Sequence, residues 1–207
     1  MSRLRISILV FVGLVAGVAS GETPAWLEPS SDYRADTLMS SPDGEMRGQV
    51  WASGRKERRE FTLQGRRHVM ILRKDRGVTW VLIPDQKVYL ENEIDPEMMP
   101  ENGGRLEREV LGQETVNGAA VTKYRVHGTT GKGDPFEGTM WMTKHEIPVR
   151  VISGDAGMSV RMELSNLQVG PVDAARFEIP SDYERFELPA PAKADLDRYR
   201  REQGQQR

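Results

Sequence analysis

Apolar and polar residues alternate along most of this chain in short runs broken by turn residues, the period of a half-buried β-strand rather than of a helix. Residues 33–39, 46–53, 58–63 and 68–73 each follow that pattern. Ser41-Pro42-Asp43-Gly44, Gly54-Arg55, Gly65-Arg66 and Asp75-Arg76-Gly77 separate them. The rhythm resumes over residues 105–113, 121–128, 136–143 and 149–154, with Asn117-Gly118 and residues 154–157 as hairpin turns. Residues 158–166 alternate most cleanly, with Met158, Val160, Met162 and Leu164 opposite Ser159, Arg161, Glu163 and Ser165. Turns spaced roughly 8–12 residues apart predict an antiparallel sheet or barrel.

Residues 78–83 depart from simple alternation, because both of their faces are apolar. Val78, Trp80 and Leu82 point one way and Thr79, Val81 and Ile83 the other. Such a strand belongs in the middle of a sheet covered on each side, so residues 78–90 predict a central hairpin closed at Pro84-Asp85. Residues 91–104 break the rhythm with Pro96, Pro100, two glycines and five acids, and with Met98-Met99 as their large apolar pair. A stretch of that length predicts a flap or a short helix laid across the sheet. Residues 171–177 suit one helical turn capped by Asp173, and Phe177 to Pro180 then pin the chain back.

The two ends read differently. Arg3 and Arg5 precede a continuous apolar or small-residue run over residues 6–18, and Val18-Ala19-Ser20 suits signal-peptidase cleavage before Gly21. That run is short of the ~20 residues a spanning helix needs, which favours a cleaved signal over an uncleaved anchor. No other window of the mature chain is apolar enough to cross a membrane. Residues 21–31 form an extended lead-in that Trp26 and Leu27 would dock, residues 32–188 the β domain, and residues 189–207 a charged, flexible tail. The chain has no cysteine, which excludes disulfides, thiolate metal sites and a cysteine nucleophile. An exported chain without disulfides points to the periplasm. Losing Arg3 and Arg5 with the signal moves the net charge from −2 to −4, which argues against a nucleic-acid partner.

Two stretches, Val78 to Tyr89 and Met162 to Asp173 leading into Phe177-Glu178-Ile179-Pro180-Ser181-Asp182-Tyr183, together carry a resemblance. In that order they resemble the LolA-like superfamily of exported bacterial proteins, relatives of the outer-membrane lipoprotein-sorting proteins. The resemblance implies a mainly β fold: a strongly curved antiparallel sheet, an unclosed β-barrel, with short helices or loops as a lid over a hydrophobic cavity. It also implies binding of acyl chains or lipid, with outer-membrane lipoprotein sorting as the process. The carriers of that group begin with a helix in the barrel mouth, whereas residues 22–31 here make a poor helix.

The residue types that carry chemistry are sparse. His68, His127 and His145 fall in different segments without metal-ligand spacing, so no metal and no cofactor is expected. The mature chain keeps nine methionines. Thioethers bind Cu(I), but only His145 sits near a methionine pair, Met140 and Met142, so an adaptable apolar wall is the better reading. Trp51 and Trp141 each sit among polar neighbours, in positions for core filling or a cavity mouth. Basic runs at Arg55 to Arg59, Arg66-Arg67 and Arg73 to Arg76 lie at hairpin ends and predict either a basic rim for head groups or an acidic partner, or a solvated edge. No nucleophile elbow or phosphate loop is present, and Gly131-Lys132-Gly133 lacks the hydroxyl residue and helix of one. The reading is a periplasmic, non-enzymatic binder of a lipid, acyl chain or lipoprotein anchor. Its expected wall is Met70, Leu72, Trp80, Leu82, Met140, Met142, Met158, Val160 and Met162, with Met98 and Met99 facing in from the lid. The alternative is an envelope protein–protein interaction module with a filled core and no cavity.

Overall fold

The structure, a computed structural model, describes residues 27–42, 44–63, 65–94, 105–129, 135–154 and 159–187. The expected signal peptide, Trp26, the lid methionines Met98 and Met99, Met158 and the tail lie outside them. Twelve strands form among the described residues: β1 (Tyr33–Ser41), β2 (Gly44–Ser53), β3 (Lys56–Leu63), β4 (Arg66–Arg73), β5 (Val78–Ile83), β6 (Val88–Glu93), β7 (Arg105–Val116), β8 (Ala119–Thr129), β9 (Pro135–Met142), β10 (Pro148–Ser153), β11 (Val160–Val169) and β12 (Glu184–Arg185). All join one sheet in the order β12-β6-β5-β4-β3-β2-β1-β11-β10-β9-β8-β7. Two meanders, β1 to β6 and β7 to β11, are therefore fused by the antiparallel pairing of β1 with β11. The sheet is curved and does not close into a barrel.

Two expectations need correction. The hairpin β5–β6 is not central: β5 is third from one edge, and the middle of the sheet is β1, β2 and β11. Its two apolar faces have another cause, given below. Residues 91–104 are not all loop either, because β6 continues to Glu93.

Curvature is visible in one contact. Asn117, in the β7–β8 turn, donates from its side-chain amide to the Leu164 carbonyl of β11 at 2.7 Å. In a flat sheet β8 and β11 would lie three strand spacings apart, about 14 Å. The sheet must curl for that hairpin tip to reach β11, and Val116 and Val121 of the tip share a core with Tyr33, Ala35, Val50, Ala52 and Leu164. The face carrying those five residues is thus the concave one. Gly48, on the same face, marks a tight approach, since a Cβ there would sit 2.1 Å from the Glu60 carbonyl oxygen.

The opposite face of β2 to β6 is covered by the chain that follows β11. Asp173 accepts from the Ala175 amide at 3.0 Å and caps the short 3-10 turn Ala174–Phe177, as the sequence predicts. That turn drives Phe177, with no exposed surface, against Trp51, Val69, Ile71, Trp80 and Leu82. Val172, Ile179 and Tyr183 complete this cover. Arg73 fastens it: its guanidinium is buried, donates two hydrogen bonds to Asp75, and reaches the Glu178 carboxylate at 2.6 Å and the Phe177 carbonyl at 3.2 Å. We call residues 171–183 the strap.

Candidate functional site

In a strand alternate side chains share a face, and residues paired across strands share it too, so the register sorts the expected wall. Met70 lies opposite Val81, and Trp80 opposite Ile71. Met70 and Leu72 consequently lie on the concave face, while Trp80 and Leu82 lie on the strap side in a core with Phe177. The paired positions Met140–Val151, Val151–Met162 and Ser153–Val160 place Met140, Met142, Val160 and Met162 on the concave face as well. Six of the expected residues thus share one face, and two turn to the other.

The arrangement on the concave face is a continuous cross-strand row. Tyr124 pairs with Met140, Met140 with Val151, Val151 with Met162, Met162 with Met39, and Met39 with Met46. Six strands, β8 to β2, each contribute one residue, and four of the six are methionines. Met39 and Met46 were absent from the expected wall, although the alternation of residues 46–53 already put Met46 with Val50 and Ala52. A second row continues the face through Val50, Arg59, Met70, Val81 and Leu90. Met39, Met46, Met162, Met70, Val81 and Leu90 are half-buried, so this face offers apolar surface that the described residues only partly cover. Unbranched thioether side chains refill irregular contacts with little strain, which suits an adaptable surface. At one end Leu27 docks against Met140, Met142 and Val151, as expected for the lead-in, and Ser31 hydrogen-bonds His145 at 3.0 Å.

Two charged pairs intrude on the apolar surface, one of them that of Arg108, which lies 4.5 Å over the Tyr124 ring and donates to Glu146 at 2.8 Å. Arg59 donates to Glu57 at 2.5 Å, between Val50 and Met70 on one row and Ala52 and Leu72 on the next. Burial works against the Glu57 charge, but the Arg59 charge and hydrogen bond hold its carboxyl below the usual carboxylate range. Burial, and then the nearby Glu57 carboxylate, push the Tyr33 phenol up. Tyr33 is therefore neutral, and the spot is a compensated dipole rather than a net charge.

His68 stacks on Phe61 with ring centroids 5.6 Å apart. Among the described residues no three His, Asp or Glu side chains converge as metal ligands. Of the basic runs, the β2–β3 and β4–β5 turns do meet, with the Lys74 amide donating to the Arg55 carbonyl at 3.0 Å. Arg66 and Arg67 lie at the opposite end of the sheet, because successive antiparallel turns alternate ends; a single rim of all three runs does not form. Trp51 and Trp141 each carry cations over the ring: Arg176 over Trp51 at 4.7 Å, and Lys123 and Arg150 over Trp141 at 5.0 and 5.2 Å. Two open grooves exist away from the methionine row. One, of about 420 Å³, is lined by Arg34, Trp51, Gln168, residues 169–173 and Arg176. The other, of about 440 Å³, runs along the β7–β8 hairpin from Gln113 to Lys144.

No protein-family model matches the chain, and no curated protein matches it. Solved structures do. An uncharacterized conserved protein from Thermus thermophilus superposes with a TM-score of 0.52 at 14% identity, covering 77% of this chain and 91% of that one. The MucA/MucB complex of Pseudomonas aeruginosa gives 0.51 at 12% identity, covering 77% of this chain but 59% of that one, so this chain spans about three-fifths of that relative. A LolA superfamily protein from Nitrosomonas europaea gives 0.41 at 12% identity, covering 72% of this chain and 91% of that one. At these identities the likeness to the Thermus thermophilus protein and to MucB is one of fold alone: a curved, unclosed, mainly antiparallel sheet.

Proposed function

We propose that this is an exported, periplasmic, non-enzymatic protein that binds an apolar ligand, a lipid or acyl chain, on the concave face of its sheet. The observation that carries the reading is the row Tyr124, Met140, Val151, Met162, Met39, Met46, apolar at every position across six strands. Each buried methylene of an acyl chain contributes about 0.8 kcal/mol, so a face of this kind binds usefully without a specific polar contact. A free carboxylate head group would find cationic partners on this face in Arg108, which lies over the Tyr124 ring, and in Arg59. Carrying a lipoprotein's lipid anchor is the finer form of the same reading, and residues 95–104, with Met98 and Met99, are its proposed lid.

A second reading has its own observation. The strap side around Trp80 is filled, with Phe177 and Leu82 almost without exposed surface, and Trp80 donating to Glu91 at 2.9 Å. A filled side suits an envelope interaction module that meets a partner protein through its surface. The two readings separate in one titration. A fluorescent acyl probe such as cis-parinaric acid should bind the mature protein, and Met39→Gln with Met162→Gln should weaken it about tenfold. Saturable binding unchanged in that double variant, or no binding at all, would remove the ligand reading and leave the interaction module.

A further inference from the structure

The groove beside Trp51 lies on the strap side of the sheet, away from the methionine row, and stands independently of the function proposed above. Its walls follow from register. Arg34 pairs across β1–β2 with Trp51 and across β1–β11 with Gln168, so the three side chains share one face in consecutive strands. The strap then passes over Trp51 and sets the Arg176 guanidinium 4.7 Å from the ring centroid. Arg176 is held there through its carbonyl, which accepts from Arg58 at 3.0 Å.

Charge is unevenly settled in this molecule. Elsewhere on the sheet arginines meet carboxylates: Arg58 with Glu60, Arg73 with Asp75 and Glu178, and Arg150 with Glu163. Arg34 and Arg176 are different. Both Arg34 hydrogen bonds, at 2.9 and 2.6 Å, go to the neutral amide oxygen of Gln168, and Arg176 faces the Trp51 ring. Among the described residues neither has a carboxylate partner, and both line the same groove. The acid in that groove, Asp173, already spends one oxygen on the Ala175 amide. Beside the two cations the strap contributes the apolar residues Pro171 and Val172 to the lining.

We infer that this groove is a docking site for an acidic, extended peptide segment of a partner protein, whose carboxylates pair with Arg34 and Arg176 and whose neighbouring apolar side chain covers Pro171 and Val172. Guanidinium groups pre-oriented by an amide and by an aromatic ring lose little freedom on meeting a carboxylate, and they match its two oxygens in geometry. A groove of about 420 Å³ falls within the range of small binding sites, and it opens to solvent.

The test is selection of peptides from a random displayed library on the mature protein, followed by calorimetry of a synthesised winner. The account expects enriched sequences with acidic and apolar residues side by side, affinity that falls with added salt, and a loss of about tenfold or more in R34Q/R176Q, because both charged contacts to the peptide are removed. R47Q, at an exposed arginine on another part of the sheet, should bind as the wild type does. Circular dichroism and a melting curve on R34Q/R176Q establish that it is folded. No enrichment, enrichment of neutral or basic sequences, or equal affinity in the folded double variant would overturn the inference. A parallel titration with phosphatidylglycerol vesicles overturns it as well if the vesicles, and not the peptide, depend on Arg34 and Arg176.

Discussion

Removing the Phe177 ring tests whether the strap is part of the folded core or merely lies on it. Phe177 has no exposed surface and touches the cluster of Trp51, Val69, Ile71, Trp80 and Leu82. An aromatic side chain of this kind buries roughly 150–250 Å², which at ~25 cal/mol per Å² corresponds to about 4–6 kcal/mol. Alanine keeps the Cβ, and Phe→Ala in cores typically costs about 3–5 kcal/mol, so we expect a loss of about 4 kcal/mol. For a domain of roughly 150 residues that lowers the melting temperature by about 8–16 °C. The assay is urea unfolding of the purified protein followed by tryptophan fluorescence and far-ultraviolet circular dichroism together. Trp51 and Trp80 sit in the affected cluster, so fluorescence reports the strap and circular dichroism the sheet. Coincident transitions shifted by that amount support a strap that folds with the sheet. A loss below about 1 kcal/mol, or an early fluorescence change with the sheet transition unmoved, would refute the reasoning, because full burial would then have contributed almost nothing to global stability.

Three further outcomes follow from named contacts. Gly48→Val places a Cβ where only 2.1 Å separates it from the Glu60 carbonyl oxygen, so we expect a destabilisation of at least about 2 kcal/mol in the same urea assay. Asn117 holds a positive φ of 49° and ties the hairpin tip to Leu164; Asn117→Ala should cost about 1–3 kcal/mol by melting, and Asn117→Gly less, since glycine keeps the backbone conformation. The Arg73 hydrogen bonds hold the Asp75 carboxyl below the usual carboxylate range, so its contribution is complete above the unfolded-state pKa of about 3.9 and is lost as pH falls through the lower folded value. Asp75→Asn should therefore be less stable at pH 7 and show a shallower acid-induced loss below about pH 4, measured as urea midpoints against pH.

The strands from β1 to β11 were legible because each carries its own alternation or apolar run, whereas the two-residue β12 carries none. The mainly β class followed from the turn spacing. Which strands share a face was harder, and the expected wall shows why. Met70 and Leu72 on β4 and Trp80 and Leu82 on β5 all read as apolar positions, but alternation within one strand does not relate its faces to those of the next. The turn does: Arg73 pairs with Val78 across residues 74–77, which sets Met70 opposite Val81 and Trp80 opposite Ile71. That length was readable, and counting it would have separated the two pairs. The position of β5 was misread for a related reason. Its doubly apolar character suggested the sheet centre, whereas one of its faces is covered by Phe177 and Ile179, about a hundred residues further on. No local pattern in β5 announces so distant a cover. The methionine row lies between these cases: Met39 and Met46 sat in strands that were correctly read, but their meeting with Met162 and Met140 depends on β11 returning to β1, a pairing that only the fold supplies.

The most direct measurement is native mass spectrometry, with lipid extraction, of the protein purified under mild conditions from cells that express it. The account predicts a co-purifying lipid or fatty acid on the wild type, and its loss when Met140 and Met162 are both replaced by glutamine in a protein that still folds. A clean ligand-free mass for the wild type, or a lipid retained unchanged in that variant, would contradict the claim that the concave methionine row holds an apolar ligand.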